Sequence, residues 1–199
     1  MKESISMKHR SLYVLPLVTI ALTFAVTNGR ANDLQDENLI QSLPPGFKIA
    51  TRGTAAGGVE LTEMIPNGET VDNWTEMVTT QVFFGVKDLS FQTYVSDMEK
   101  HWKSSCDEAN SKRLRDGKEN GYAFHLWMQT CSYRDSTRDP EITWFKFIQG
   151  NDSTYVVQYA FHVEPSKDQV IDAMHYLAEI QACDTRRTES PCPEIDVKK

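Results

Sequence analysis

The chain has 199 residues, with 21 lysines and arginines against 28 aspartates and glutamates, so its formal net charge is −7. Residues 1–31 hold four of the basic residues and one of the acidic ones, which leaves a net charge of −10 on residues 32–199. Nucleic acids and anionic membranes need a basic face, so this charge argues against either as the main partner. It favours a protein partner or a small polar or cationic ligand, and the length is typical of one domain.

The first 31 residues have the three parts of a secretory signal peptide. Basic residues precede an uncharged run from Leu12 to Val26, and small residues follow at Gly29 and Ala31. A membrane-spanning helix needs about 20 apolar residues, so this shorter run predicts a cleaved signal rather than an anchor. We therefore expect a protein exported to the periplasm or secreted, which begins near Asn32 and has no stable membrane insertion after cleavage.

The segment after the signal begins with an arm and three strands. Residues 32–45 are polar and acidic, which is typical of a loose N-terminal arm, and the domain is expected to start at Gly46. Strands are predicted over 47–52, 59–65 and 74–85. The third strand is indicated by the alternation of Val78, Thr80, Val82 and Phe84.

A helix is predicted next, because apolar residues recur at intervals of three and four. These residues are Phe91, Tyr94, Val95, Met98, Trp102 and Cys106. Ser90 can cap the start of the helix, and we expect the helix to fade by Asp116-Gly117.

The second half of the chain repeats this order. Strands are predicted over 122–131, 141–149 and 154–164, and a closing helix should begin at the capping box Ser166–Gln169 and end near Cys183. The residues expected to face inward from this helix are Val170, Ile171, Met174, Leu177 and Ala178. The tail, 184–199, should be tied down by a disulfide.

All four cysteines lie after the predicted signal, which in an exported chain indicates two disulfides. Three connectivities are possible, and we favour Cys106–Cys131 together with Cys183–Cys192. Cys106 lies on the apolar stripe of a helix that must pack on the sheet, and Cys183 and Cys192 enclose a short proline-bearing loop. The chain has no Cys-x-x-Cys pair, so structural bridges are favoured over redox chemistry.

The order of elements predicts one α+β domain over 46–183: an antiparallel sheet, β-β-β-α-β-β-β-α, with the helices packed on it. This order resembles the Mog1/PsbP-like fold. The segment ELTEMIPNGETVDNWTEM (60–77) is similar to the strand–loop–strand hairpin of small exported members of that group. The resemblance implies a non-catalytic binding or assembly scaffold, and no catalytic residues carry over. The cysteines depart from the photosynthetic members, so no photosystem role is implied.

The loop from Asn67 to Glu76 is the preferred candidate ligand-binding site. It holds Glu69, Asp72, Asn73, Trp74 and Glu76 between two apolar strands. A tryptophan beside amides and carboxylates can stack on a ligand while the polar groups orient it. The alternative is a hairpin loop in which Trp74 covers the core and Asn73 bonds its own backbone.

His125 and His162 form a second candidate. They are expected on the less apolar face of the sheet with Gln129 and Gln158, on strands that could be neighbours, where they could form a polar pocket. The alternative is a solvated sheet face. No histidine has a second metal ligand at the usual spacing, and a Gly-x-Ser-x-Gly elbow is absent. We therefore assign no metal, cofactor or catalytic residue.

These features predict an exported non-catalytic binding or accessory protein of the periplasm or cell envelope. Two other classes stay open. One is a secreted hydrolase that uses His125 or His162 with a carboxylate, and the other is a secreted inhibitor or effector whose loops block another protein.

Overall fold

A seven-stranded antiparallel sheet with a helix on each face forms the body of the protein. The structure, a computed structural model, describes residues 34–133 and 139–194, so the predicted signal peptide lies outside the described residues. The elements are β1 (Glu37–Ile40), β2 (Phe47–Thr54), β3 (Glu60–Pro66), β4 (Glu76–Phe83), α1 (Phe91–Ser105), β5 (Glu108–Glu119), β6 (Tyr122–Ser132), β7 (Glu141–Gln149), β8 (Thr154–Phe161), α2 (Lys167–Glu179) and β9 (Gln181–Asp184). The large sheet has the order β2-β3-β4-β8-β7-β6-β5, and β1 pairs separately with β9. Within the described part of the chain, no helix is both long and apolar enough to cross a bilayer.

The two helices cover opposite faces of the sheet, as the side chains of β8 show. Val157 and Phe161 lie in a core with Leu177 of α2, whereas Val156 lies in another core with Trp102 of α1. Successive side chains of a strand point to opposite faces, so the two cores are on the two sides of the sheet. The predicted α+β class, with helices packed on an antiparallel sheet, is confirmed.

The segment that follows α1 is a strand, which corrects the predicted end of the helix. We expected the helix to fade by Asp116-Gly117, but it ends at Ser105 and is followed by β5 at the sheet edge. Cys106 has an extended backbone, and the N–H of Asp107 donates to the carbonyl of Ser132 in β6 at 3.1 Å, directly before β5 begins. Most β5 side chains are exposed, so the strand shows no apolar alternation. The signal that indicated it was Asn120-Gly121, a two-residue turn with positive φ at both positions.

Short strands tie down both ends of the described chain. The stretch 37–40, which we expected within a loose arm, pairs with β9 so that Glu37 lies opposite Asp184. The Glu37 carboxylate also accepts the backbone N–H groups of Asn151, at 2.6 Å, and Ser153, at 3.1 Å, in the β7–β8 turn. The N-terminal segment is therefore part of the fold.

Both disulfides join elements that are adjacent in space. Cys106–Cys131 connects the end of α1 to β6, with the Cα atoms 5.4 Å apart. Cys183–Cys192 fastens the tail to β9, with a Cα separation of 4.8 Å. The connectivity is the one favoured from the sequence, and it uses all four cysteines.

Helix α2 begins at the expected capping box, Ser166–Gln169, and three of the five side chains expected to face inward, those of Val170, Met174 and Leu177, pack into the core. The buried side chains of the helix are Ala173, Tyr176 and Leu177. Ile180, which directly follows the helix, is also buried. Ile171 and Ala178, which we expected to face inward, are exposed. Each helical residue adds about 100° of rotation, so Ile171 lies almost opposite Ala173. Ile171 is therefore an apolar side chain at the surface of α2.

Candidate functional site

The loop from Asn67 to Glu76 is closed by its own hydrogen bonds. The backbone of Thr70 pairs with that of Asn73 in both directions, at 3.1 and 3.2 Å. The Glu69 carboxylate accepts the backbone N–H of Thr75 at 2.8 Å and its hydroxyl at 2.7 Å. The side chains of Asp72 and Asn73 are left exposed. Glu69 therefore shapes the loop, and Asp72 and Asn73 are available to a partner.

Trp74 of this loop stacks on His162. The ring centroids are 3.5 Å apart with an interplanar angle of 22°. The backbone N–H of His162 donates to the carbonyl of Thr75 at 3.0 Å, so the pairing of β4 with β8 continues to the stack. The Nε2 atom of His162 lies 3.7 Å from a carboxylate oxygen of Glu141. The loop and this histidine, predicted as separate features, form one surface.

Glu76 lies on the other side of the sheet from this stack. Its carboxylate accepts the hydroxyl of Tyr159 at 2.9 Å and the side-chain amide of Gln169 at 2.8 Å. Tyr159 lies in the core beneath α2, and Gln169 is in the first turn of that helix. Glu76 therefore connects β4, β8 and α2.

His125 is not brought together with His162. Strand β7 separates their strands, and the register aligns His125 with Phe147 and Val156, six residues before His162. At the rise of a strand this is a separation of about 20 Å. The expectation that the two strands are neighbours was wrong, because β7 pairs with both.

His125 has partners of its own at the other end of this face. Its Nδ1 atom is 2.7 Å from an oxygen of Asp116, and its ring stacks on Phe91 with centroids 4.1 Å apart. Hydrogen bonds from His125 and then from Arg113 hold the pKa of the Asp116 carboxyl below its usual range. Among the described residues, no serine or threonine hydroxyl donates to this histidine or to His162.

A cavity of about 650 Å³ lies between α2 and the segment that joins β1 to β2, and we call it the α2 cleft. Its volume is within the usual range for small-molecule sites, about 300–1,000 Å³. Three aromatic residues and three carboxylates line it: Phe47, Tyr159, Tyr176, Glu76, Asp172 and Glu179. Leu43 and Ile171 line its rim, and both are exposed.

The aromatic walls of the α2 cleft are fixed by ring contacts and hydrogen bonds. Tyr159 meets Tyr176 at 5.8 Å and 78°, and Phe47 at 6.3 Å and 64°. The Tyr176 hydroxyl donates to the carbonyl of Ser42 at 2.8 Å. Burial raises the pKa of Tyr176 to about 12. Burial, and then the carboxylate of Glu76, also raise the pKa of Tyr159, so both phenols are neutral at pH 7.

The charge of the α2 cleft is negative. Asp172 and Glu179 are exposed on α2, and neither has an ion-pair partner among residues 34–133 and 139–194. Of the described residues that line the cleft, none is a lysine or arginine, and His175 is the basic side chain present. In the same part of the chain, no group of three or more metal-binding side chains is gathered. The cleft is thus an aromatic and acidic cavity.

The structure divides the predicted site residues among separate places. Glu76 reaches the α2 cleft, Trp74 joins His162, and His125 stands apart. The aromatic walls of the cleft come from β2, β8 and α2, and the sequence marked their residues only as parts of strands or helices. Sheet order and helix placement create this cavity, and neither could be obtained from the local sequence pattern.

The fold and the α2 cleft define an α+β protein with an antiparallel sheet and an acidic aromatic cavity beneath one helix. No protein-family model and no curated protein sequence matches this chain. Among solved structures, the chain is similar to the solution structure of cyanobacterial PsbP (CyanoP) from Synechocystis sp. PCC 6803, with 9% sequence identity and a TM-score of 0.45. The match covers 76% of this chain and 95% of that one. The resemblance predicted from the sequence was to the Mog1/PsbP-like fold. The structural similarity is to a PsbP protein and not to Mog1.

Proposed function

We propose that the protein is an exported, non-catalytic binding or accessory protein of the periplasm or cell envelope. The signal-peptide pattern of residues 1–31 supports export, and two disulfides are typical of proteins that fold in oxidising compartments. The α2 cleft is the observation that carries the binding part of the proposal. It combines a ligand-sized volume, aromatic walls and a few convergent polar groups, as binding pockets do.

The groups inside the α2 cleft are better suited to holding a ligand than to reacting with it. The hydroxyl of Tyr159 already donates to Glu76, which also accepts from Gln169. A raised pKa makes the phenol of Tyr159 a poor proton donor or acceptor at neutral pH. These contacts fix the walls of the cavity, which favours recognition of a ligand by a preformed site.

The surface around Trp74 is a second part of the proposed binding region. Trp74 is half-buried on His162, and Asp72 and Asn73 are exposed in the same loop. This surface and the α2 cleft lie on different sides of the sheet. A substitution at Trp74 should therefore weaken binding of a partner that uses the loop and leave unchanged the binding of one that uses the α2 cleft.

A secreted hydrolase is the second candidate, and the contact of His125 with Asp116 favours it. A carboxylate 2.7 Å from an imidazole nitrogen can orient a general base. This candidate predicts that His125→Ala abolishes hydrolysis of a panel of nitrophenyl esters and glycosides while the protein stays folded. Wild-type protein without turnover on this panel, or turnover unchanged in the variant, would eliminate the candidate in this form.

Photo-crosslinking in the exporting cell tests the binding function. A photoreactive amino acid replaces Ile171 at the rim of the α2 cleft, and, as the matched control, His101 on the exposed side of α1. We expect a discrete crosslinked product from position 171 and none from position 101, with the product identified by mass spectrometry. Equal labelling from both positions, or none from position 171 in correctly exported protein, would contradict a binding role for the cleft.

A further inference from the structure

We infer that the α2 cleft receives a lysine or arginine side chain from an extended segment of a partner protein. This inference rests on the proposed binding function and specifies the chemistry of the occupant. It follows from three properties of the cleft: carboxylates with no ion-pair partner among the described residues, aromatic walls and apolar residues at the rim.

The carboxylates of the α2 cleft are the first of these properties. Glu76 lies at the inner wall, held by Tyr159 and Gln169, while Asp172 and Glu179 stand on the exposed side of α2. Among the described residues that line the cleft, no lysine or arginine offsets these three groups. A cationic side chain would therefore find complementary charge both at the entrance and at the inner wall, which favours fast and specific association.

The aromatic walls are the second property. Tyr159 stands at 78° to Tyr176 and at 64° to Phe47, so the three rings are differently oriented, and the half-buried Phe47 is the most accessible of them because Tyr159 and Tyr176 are buried. Aromatic ring faces attract ammonium and guanidinium groups, and an aliphatic stem packs on the same rings. A lysine or arginine side chain has both parts. A simple metal cation has no stem to pack on these rings.

The rim is the property that favours a peptide over a free amine. Leu43 and Ile171 are 48% and 42% exposed at the opening of the cleft. Apolar rim residues beside a charged cavity fit a chain in which apolar residues flank the basic one. Pro44 and Pro45 restrict the backbone of one side of this rim, so little conformational entropy is lost on binding.

Synthetic peptides test the inference directly. The probes are acetylated and amidated Gly-Leu-Arg-Leu-Gly and its lysine form, with Gly-Leu-Gln-Leu-Gly as the neutral control, measured by calorimetry at low salt. We expect the basic peptides to bind the wild-type protein at least about tenfold more tightly than the neutral one, and to weaken as salt is added.

A charge-matched pair of variants locates the binding. Asp172→Asn with Glu179→Gln removes two carboxylates from the cleft, whereas Glu164→Gln with Asp168→Asn removes two exposed carboxylates outside it. Both variants keep the folding contacts of Glu76. We expect the first to weaken binding of the arginine peptide by about tenfold and the second by less than about twofold.

The other outcomes distinguish failure of the cationic occupant from failure of the proposed binding function. Equal affinity for the glutamine peptide would overturn the cationic occupant while leaving a binding cleft. Equal weakening in both double variants would show general charge attraction and would overturn the assignment to the α2 cleft. No binding of any basic peptide would also overturn the inference, and specific crosslinking from position 171 would then still support the proposed function.

Discussion

The rings of Trp74 and His162 stack at a centroid distance of 3.5 Å, outside the two described hydrophobic cores. Trp74 comes from the β3–β4 loop, and His162 directly follows β8. The backbone hydrogen bond from His162 to Thr75 holds the two chain segments in register. The stack therefore fastens the candidate loop to the sheet from its surface.

Replacing Trp74 with alanine should weaken this attachment without disrupting either core. We expect the free energy of unfolding to fall by about 1 kcal/mol, because an aromatic pair contributes roughly 0.5–1.5 kcal/mol. Urea denaturation of Trp74→Ala, His162→Ala and the double variant gives the coupling energy between the rings. Trp74→Phe is the control that keeps a stacking ring. A Trp74→Ala protein that cannot fold would instead show that Trp74 belongs to the core.

Strands and helices could be predicted from the sequence where their apolar side chains alternate or recur on one face. The strand around Val156 and Val157 and the helix containing Trp102 were predicted, because their apolar pattern records the core directly. β5 was missed because an edge strand with exposed side chains has no such pattern. Its pairing with β6 is made by backbone groups and does not depend on apolar side chains. The turn at Asn120-Gly121 was the local signal for it.

The candidate site could be predicted only where one short segment supplies it. The loop residues were identified together, but which sheet face each one joins depends on strand pairing between distant segments. Glu76 contacts Tyr159 because β4 lies beside β8, and the wall formed by Tyr176 depends on how α2 is rotated. Those relationships are tertiary, so no periodicity in the sequence contains them.

The Glu37 carboxylate should be important for stability although it lies in the segment we expected to be a loose arm. It accepts three turn N–H groups, from Asn151, Asp152 and Ser153, and the hydroxyl of Tyr155 at 3.1 Å. Glu37→Ala should lower the free energy of unfolding by about 2 kcal/mol, because bonds to a charged group contribute roughly 1.5–3 kcal/mol. Hydrogen exchange should speed up at residues 150–153. Glu164→Gln is the exposed control, and equal effects in the two variants would contradict a specific role for Glu37.

The two disulfides and the predicted cleavage can be measured on one sample. Intact mass spectrometry of protein from the exporting cell should show a chain that begins near Asn32, with a mass about 4 Da below that of its four-thiol form. Removing the tail bridge by Cys183→Ser with Cys192→Ser should reduce stability by about 2–3 kcal/mol. Alkylation of all four cysteines in the native protein would contradict the bridges, and a full-length mass would contradict cleavage.

Tyr176 should make the stability of the protein depend on alkaline pH. Burial raises the pKa of this phenol to about 12, whereas in the unfolded chain it ionises near pH 10. The folded state therefore keeps a proton that the unfolded state loses, so stability present below pH 10 is lost as the pH rises toward 12. The shift corresponds to a loss of roughly 2–3 kcal/mol.

Urea denaturation at pH 8, 10 and 11 isolates the contribution of Tyr176. Tyr176→Phe should be less stable than wild type by about 1 kcal/mol at pH 8, because it loses the hydrogen bond to Ser42. It should lose less stability than wild type between pH 10 and 11, since phenylalanine has no proton to release. Phe47→Leu alters another wall of the α2 cleft without a titratable group, so its deficit relative to wild type should be the same at every pH. An alkaline loss in Tyr176→Phe as large as that of wild type would show that other groups cause it.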